Sequence, residues 1–437
     1  MTLRQKIEQE ICDRGPIPFS RYMELCLYDP EFGYYSRAQE KFGKGGDFYT
    51  SSDVHAVFGR LLARQFHEMW GAFGAPDRIE VIELGPGRGL FAQDVLDWSE
   101  KKFPDFYRAL RYTLMETSAS LRQRLASQFR TRIESGQVIL RNGIDGKPTG
   151  EAPSVSSEQA SRRSTGDPAR FLEGTDHLSD RHDQQWDESH EHEREGHGFS
   201  RAEKIPTLNR ALNREVPVII FANEFFDAIP VEILSTKGSL RVAARGGLFH
   251  EEWIVPAKEE LDFLDRYGVH PEGDSRTEVA LASQAIMMRV PAAIEHGFLI
   301  AIDYGYTREQ HLAGRHVDTL MTYTRHTASP DPYHAPGEQD ITAHVNFTAL
   351  TAAAEQAGMN PSSLRTQSQF LLGIGEATQF ADAFEDCRLP QERAKVTFQL
   401  KHLITPEGMG ETFQVMVAAK GVEQGVVESL SGLRFGR

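Results

Sequence analysis

Apolar and polar positions along this chain follow two periods. A period near 3.6 predicts helices, and unbroken apolar runs of four to seven residues predict buried strands. Residues 3–14 and 19–28 read as two short helices joined at Gly15-Pro16-Ile17-Pro18. A helix from about Val54 to Trp70 follows, with Ser52 or Asp53 as its N-cap. Next come a strand at 79–84, a helix from Leu90 to about Trp98 and a strand at 110–116. A helix opened by Ser118 runs to about Phe129, and a third strand covers 137–140. This alternation predicts an α/β fold, a doubly wound parallel sheet of the Rossmann-like kind.

From about 145 to 204 the periodicity vanishes. Ser, Glu, Asp, Arg, Gly and His dominate, too polar to offset the entropy of ordering, so a disordered insertion is expected. Apolar runs resume at 216–222 and 297–303, helices fill 348–403, and a last strand lies at 413–419. Residues 231–292 instead alternate in short segments and predict a small inserted α+β subdomain. The expected organisation is an N-terminal helical extension over 1–75, a core over 76–144 and 205–437, and the insertion over 145–204.

Composition narrows the classes. The chain has 437 residues, 40% hydrophobic and 25% charged, as in ordinary globular proteins. Its 63 acidic against 48 basic residues give a net charge of −15, which disfavours nucleic acid and anionic membranes and suits a basic partner. Cys12, Cys26 and Cys387 form neither a disulfide framework nor a metal knuckle. His190, His192 and His197 alternate with acids in the polar tract, but a flexible tract fixes no coordination geometry, and no metal is expected. No run reaches the length of a membrane span, and Glu8, Glu10 and Asp13 argue against a transit peptide. A bacterial cytoplasmic location is expected.

Candidate chemistry gathers where strands end. Glu83-Leu84-Gly85-Pro86-Gly87-Arg88-Gly89 closes the first strand with a carboxylate and three alternating glycines, which let a ligand approach the backbone. Dinucleotide folds use G-x-G-x-x-G, but Leu90 stands where their third glycine would be, and Glu83 would repel a phosphate while welcoming an ammonium. Glu116 ends the second strand, where an acid accepts hydrogen bonds from ribose hydroxyls. Asn223-Glu224-Phe225-Phe226-Asp227 follows the strand at 216–222, at the binding crevice of such sheets; Asn223 and Asp227 could equally satisfy backbone groups in a turn. The loop with Gly46, Asp47, Thr50 and Ser51 reads either as a pocket wall or as a plain connection. His344 reads as a core or capping histidine, or as an acid/base group.

Together with Gly15-Pro16-Ile17, Gly33-Tyr34-Tyr35, Gly46-Asp47-Phe48, Asp303-Tyr304-Gly305 and Asp340-Ile341-Thr342, these blocks resemble one family. It is that of class I methyltransferases of the respiratory complex I assembly type, related to the mitochondrial protein arginine methyltransferase. The resemblance implies S-adenosyl-L-methionine as methyl donor and a protein arginine, in an NADH dehydrogenase subunit in the mitochondrial case, as acceptor. It implies that Gly46, Asp47, Thr50 and Ser51, with Glu83, Gly85, Pro86, Gly87 and Gly89, hold the donor's methionine end and that Glu116 holds its ribose. It also implies that Glu224 and Asp227, with Asn223 and His344, serve the acceptor. The chain departs from the family at Asp318-Thr319, where Gly-Thr is usual, at Asn346, where an acid is often found, and in its long insertion. Three other readings compete: a donor-binding assembly factor without catalysis, a nicotinamide-dependent oxidoreductase, and a methyltransferase for small molecules or nucleic acid.

Overall fold

A strand covered on both faces needs apolar side chains in both directions, and the central strands have them. The computed structural model describes residues 1–36, 56–143, 147–148, 215–316, 318–324 and 327–435. Its main sheet contains Ile79–Leu84 (β1), Leu110–Glu116 (β2), Val138–Asn142 (β3) and Val218–Asn223 (β4). A small sheet intervenes in the chain, built from Glu232–Ser235 (β5), Gly238–Arg245 (β6), Leu248–Ile254 (β7) and Thr277–Val279 (β8). Gly297–Tyr306 (β9) and Phe413–Lys420 (β10) then complete the main sheet. From one edge its order is Asn360–Pro361, β10, β9, β4, β1, β2, β3 and Lys147–Pro148. The five strands from β9 to β3 run parallel, and β10 is antiparallel to β9. The chain moves outward from β1 to β3 and returns to β4 on the other side of β1, the reversal that opens a crevice at the strands' carboxyl ends.

Alternate residues of β1 feed two cores. Ile79 and Val81 enter the one beneath Ala56–Ala72 (α3) and Leu90–Lys102 (α4), whereas Ile82 and Leu84 enter the one beneath Leu281–Ala292 and Phe347–Gln356. Phe91 of α4 stacks on Phe221 of β4 at 4.3 Å, and Phe66 of α3 meets both rings edge-on. The two helices come so close that a Cβ at Gly59 would lie 2.5 Å from that of Asp94.

The elements largely follow the pattern, and the differences have local causes. α4 continues to Lys102, its last turn ending in Lys101 and Lys102, which suit a helix C-terminus. β9 continues past Asp303 because Gly305 and Tyr306 pair with Val345 and Asn346. The helical stretch after 348 is interrupted by Asn360–Pro361 and Arg365–Thr366, both bound to β10. Of the tract over 145–204, only Lys147–Pro148 lies within the described residues, pairing with β3.

The extension, Leu3–Arg14 (α1) and Phe19–Tyr28 (α2), shares a core with the small sheet. Thr2 caps α1 in a capping box with Gln5, and Leu3, Ile7 and Ile11 face inward. Ile17–Pro18, between the helices, pairs with β6, a contact between residues more than two hundred positions apart that no local pattern signals.

Behind the first strand, one buried carboxylate ties three elements. Asp382 receives the Trp98 indole N–H at 3.1 Å and pairs with the Arg64 guanidinium. Asp382→Ala would leave both donors without their acceptor, and its expected cost is about 3 kcal/mol. Chemical denaturation of the two proteins measures it, and a loss below about 1 kcal/mol would show that solvent replaces the carboxylate.

Candidate active site

The turn after β1 is closed by Gly89 N–H donating to the Pro86 carbonyl at 2.8 Å, while Gly85 N–H reaches Met115 O at 3.0 Å. Gly85, Gly87 and Gly89 have φ of +66°, +53° and +72°, in the left-handed region. Space adds a separate reason at two of them. A Cβ at Gly85 would lie 2.9 Å from the Phe225 ring, and one at Gly89 would lie 2.5 Å from Leu125 and 2.8 Å from Phe129. At Gly87 a Cβ would meet nothing within 4 Å. The open space lies near Glu116, whose carboxyl feels the Gly87 N–H.

Glu116 is 6% exposed and accepts the Ser118 N–H at 2.7 Å. Burial pushes its carboxyl up to about 7, against the pull of Ser118, Arg122, Thr117 and Gly87. Glu83 is also buried and receives the Tyr112 hydroxyl at 2.9 Å. Burial, opposed by that bond and reinforced by the charge of Glu116, pushes it up to about 8. Both acids favour a neighbouring cation or strong donors, which would restore their ionised forms.

The second half of the site follows β4. Glu224 adopts φ +48°, unusual for a residue with a side chain, and its N–H binds Ile302 O at 2.9 Å. Asn223 donates its amide to Glu224 Oε1 at 3.0 Å, and its own buried Oδ1 has no hydrogen-bond partner among the described residues. Asp227 is raised well above the carboxylate range by burial and then by Asp303 and Asp340. Asp303 ends the apolar part of β9, and its Oδ2 accepts three successive N–H groups, from Phe225, Phe226 and Asp227, at 3.1, 2.9 and 3.3 Å.

The extension forms a wall over both halves. The Tyr35 hydroxyl donates to Asp340 at 2.8 Å, while Ser118 and Ser120 donate to the carbonyls of Tyr35 and Ser36. Tyr28 donates to Ala228 O at 2.9 Å, and the charges of Asp340, Asp227 and Glu116 add to burial in raising its pKa.

His344 stands beside this cluster. Its ring lies 6.3 Å from that of Tyr304 and nearly parallel to it, and its Nδ1 faces His316 Nδ1 at 3.2 Å. Burial, then His316, depresses it to about 4, so it is neutral near pH 7. Gly46, Asp47, Thr50 and Ser51 lie outside the described residues. Glu83, Gly85, Pro86, Gly87, Gly89 and Glu116 cluster at one side of the crevice, and Asn223, Glu224 and Asp227 lie on a single turn at the other. Sequence reasoning did not single out Tyr28, Tyr35, Tyr112 or His316 as site residues. For Asp303 a signal was present: like Glu83 and Glu116, it is an acid terminating an apolar strand.

Two outcomes follow from the donor side. Gly87→Ala should cost about 1–2 kcal/mol of stability through its backbone alone, since nothing crowds its Cβ. Affinity for S-adenosyl-homocysteine should nevertheless fall at least about tenfold, because the methyl group would enter the open space. Calorimetry showing unchanged affinity in the folded variant would place the ligand elsewhere. The second concerns pH. If the ionised form of Glu116 accepts from the donor's hydroxyls, affinity should rise roughly tenfold between pH 6 and 8, and Glu116→Gln should flatten the rise. In the ligand-free protein both acids titrate above their unfolded value of 4.5. Their stabilising contribution is complete below that value and is lost as pH rises through about 7 and 8, so the thermal midpoint should fall across this window.

Comparison with known proteins agrees with this geometry. The family described as "Putative S-adenosyl-L-methionine-dependent methyltransferase" matches residues 61–364. Protein arginine methyltransferase NDUFAF7 of Danio rerio, a mitochondrial protein, is 26% identical over 434 residues, covering 94% of this chain and 86% of its own. The Drosophila melanogaster homolog is 25% identical over 433 residues, covering 96% and 85%. A crystal structure of a Burkholderia thailandensis protein bound to S-adenosyl-homocysteine covers 100% of this chain and 95% of its own, with a TM-score of 0.70 at 24% identity, and shares the fold. The left-handed glycine turn, the open space at Gly87 and the buried acid beside it suit such a donor. By the extent of that family match, this chain belongs to the S-adenosyl-L-methionine-dependent methyltransferases.

Proposed function

We propose that this enzyme transfers a methyl group from S-adenosyl-L-methionine to an arginine side chain of a protein. The observation that supports this reading most is the buried carboxyl cluster around the turn after β4. The charged neighbours that raise Asp227 are Asp303 and Asp340, and the one that raises Asp303 is Glu224. Acids that crowd one another out of water favour a cation, and a guanidinium is the side-chain cation that stays charged at any working pH. The relatives named as protein arginine methyltransferases point to the same acceptor.

In this reading the turn from Gly85 to Gly89 and Glu116 hold the donor, with Glu83 favouring its ammonium. The donor supplies an electrophilic methyl group on sulfonium. Glu224 and Asp227 orient the guanidinium, draw its positive charge toward the nitrogens that do not react, and give the released proton a carboxylate to join. Asn223 presents its unused Oδ1 as a further acceptor for a guanidinium N–H. His344, neutral beside Tyr304, offers a route for the proton away from the carboxylates. Placement of one nitrogen in line with the methyl group would supply most of the rate.

The protein substrate expected first is an NADH dehydrogenase subunit, and the setting proposed is the bacterial cytoplasm. Among the described residues no helix is long and apolar enough to cross a membrane. The residues that depart from the family do not disturb the carboxyl cluster. Asn346 caps the helix Phe347–Gln356 through Ala349 N–H at 3.0 Å and donates its amide to Tyr267 O at 2.9 Å, a bond an acid could not give. Asp318 takes φ +52°, where the family's usual glycine would be relaxed, and accepts the Arg276 N–H at 2.8 Å.

Glu224→Gln keeps the size of the side chain and removes its charge. Methyl transfer should fall about 100- to 1,000-fold while S-adenosyl-homocysteine affinity stays within a few-fold. Labelled methyl incorporation, followed by hydrolysis to methylarginine, measures the first and titration the second. Full turnover in the variant would remove the carboxylate clamp.

A further inference from the structure

We propose that Asp303 is the positioning residue of the acceptor site: its carboxylate, gripping the N–H groups of Phe225, Phe226 and Asp227, holds the turn in the one shape that aims Glu224 and Asp227 at a cationic substrate. The inference deepens the arginine reading and rests on it for the identity of that substrate.

The geometry assigns this role and no contact with substrate. Oδ2 accepts all three turn N–H groups within 3.3 Å, and Oδ1 accepts the N–H of Tyr304 at 2.9 Å. Asp303 is 1% exposed, so solvent cannot replace it. Three successive N–H groups converging on one oxygen form a small anion-binding concavity, and here the anion comes from the neighbouring strand of the same chain. The turn needs such a hold for two reasons. Glu224 sits at φ +48°, a conformation that persists only when its surroundings over-determine it. Beyond the turn, the backbone is held at Ala343 N–H to Asp227 O, 3.0 Å, and before it at Glu224 N–H to Ile302 O, 2.9 Å. Without Asp303, residues 225–227 would keep both anchors, the Ile229 N–H on Phe226 O and the packing of Phe226 in the core, and would lose the acceptor of all three of their N–H groups.

The hold also depends on what the site binds. Burial, and then the negative charge of Glu224, push the Asp303 carboxyl up to about 8, so the empty site opposes its ionisation. A cation between Glu224 and Asp227 relieves that opposition and strengthens the grip of Asp303 on the N–H groups. A neutral acceptor would leave it weaker. Selection for charge is thus built into the backbone of the turn as well as into the side chains that touch the substrate.

The full-length protein tests this with Asp303→Ala and Asp303→Asn. Hydrogen exchange of peptides covering 223–228 reads the turn directly. In the alanine variant its exchange should accelerate by about tenfold or more with the rest of the sheet unchanged. Methylarginine formation from methyl-labelled S-adenosyl-L-methionine, in a lysate of cells lacking the enzyme, should fall roughly a hundredfold. S-adenosyl-homocysteine affinity should stay within about threefold, since the donor side has its own supports. Asparagine keeps an accepting oxygen and should restore part of both the protection and the rate. Unchanged protection of the turn in the alanine variant would overturn the proposal. So would a fall in donor affinity and thermal midpoint that parallels the fall in turnover, because Asp303 would then support the fold as a whole. If the alanine variant does not fold, the asparagine variant decides, and wild-type protection and turnover there would overturn the need for the carboxylate. If the unmodified enzyme forms no methylarginine, the acceptor reading fails, while hydrogen exchange still decides the role of Asp303.

Discussion

A parallel sheet buried on both faces leaves polar chemistry one place to go, and the rest of this structure depends on that constraint. Side chains along β1, β4 and β9 are largely consumed by two cores, so the acids and amides of the crevice stand where the strands stop. Glu83 stands one residue before the end of β1, Glu116 and Asn223 end β2 and β4, and Asp303 lies where β9 leaves its parallel partner. Their convergence follows from register: Leu84 pairs with Met115 and Ala222, and Asn223 with Ile302, which brings the ends level. The cost is that several carboxyl groups share a poorly solvated rim and raise one another's affinity for protons. Such a rim is a poor contributor to the stability of the empty protein and a good receptor for cations. The methyl donor carries an ammonium and a sulfonium, and the proposed acceptor is a guanidinium.

How much of this could be read from the chain alone differed from place to place for physical reasons. Segments whose fate is decided by their own pattern were legible: α1 and α2 begin and end where the periodicity places them, and the glycine turn joins β1 to α4 as its spacing implies. Ser118 caps the helix Ala119–Gln128 as its type suggests. Contacts that join distant parts of the chain were not. Nothing in Ile17–Pro18 names β6 as its partner, and nothing in Tyr35 names Asp340. The reasons for individual glycines were also hidden. Gly89 is required by Leu125 and Phe129, at the end of the helix Ala119–Gln128, and Gly85 by Phe225, while Gly87 of the three faces open space, a distinction that spacing cannot draw.

The candidate site was legible in its residue types more than in their tasks. Glu224 and Asp227 could be picked out because they follow a buried strand. That the first lies in a left-handed conformation, and that the second is surrounded by other acids, depends on β9 and on the segment Asp340–Thr342. His344 shows the same limit from another side. Its type suggests a proton carrier, and only its surroundings show that burial lowers its basicity and sets it against His316, so any part it takes is that of a neutral ring. Asn346, an apparent loss when compared with the family's acid, is a helix cap whose amide has a definite acceptor.

The wall formed by the extension has a consequence for how the enzyme comes into being. Arg4 donates to the carbonyls of Tyr333 and His334, Tyr22 to that of Pro332 at 2.8 Å, and Tyr35 to Asp340, so one side of the crevice is built from residues some three hundred positions apart. On the opposite flank, β9 gains its antiparallel neighbour only when 413–420 is present. The first flank can therefore close only after the chain has been made past 340, and the second only after 420. Until the small sheet at 232–254 has been made, α1 and α2 emerge with most of their apolar faces uncovered. Contacts of this span slow folding, and they postpone a complete crevice until most of the chain has been made.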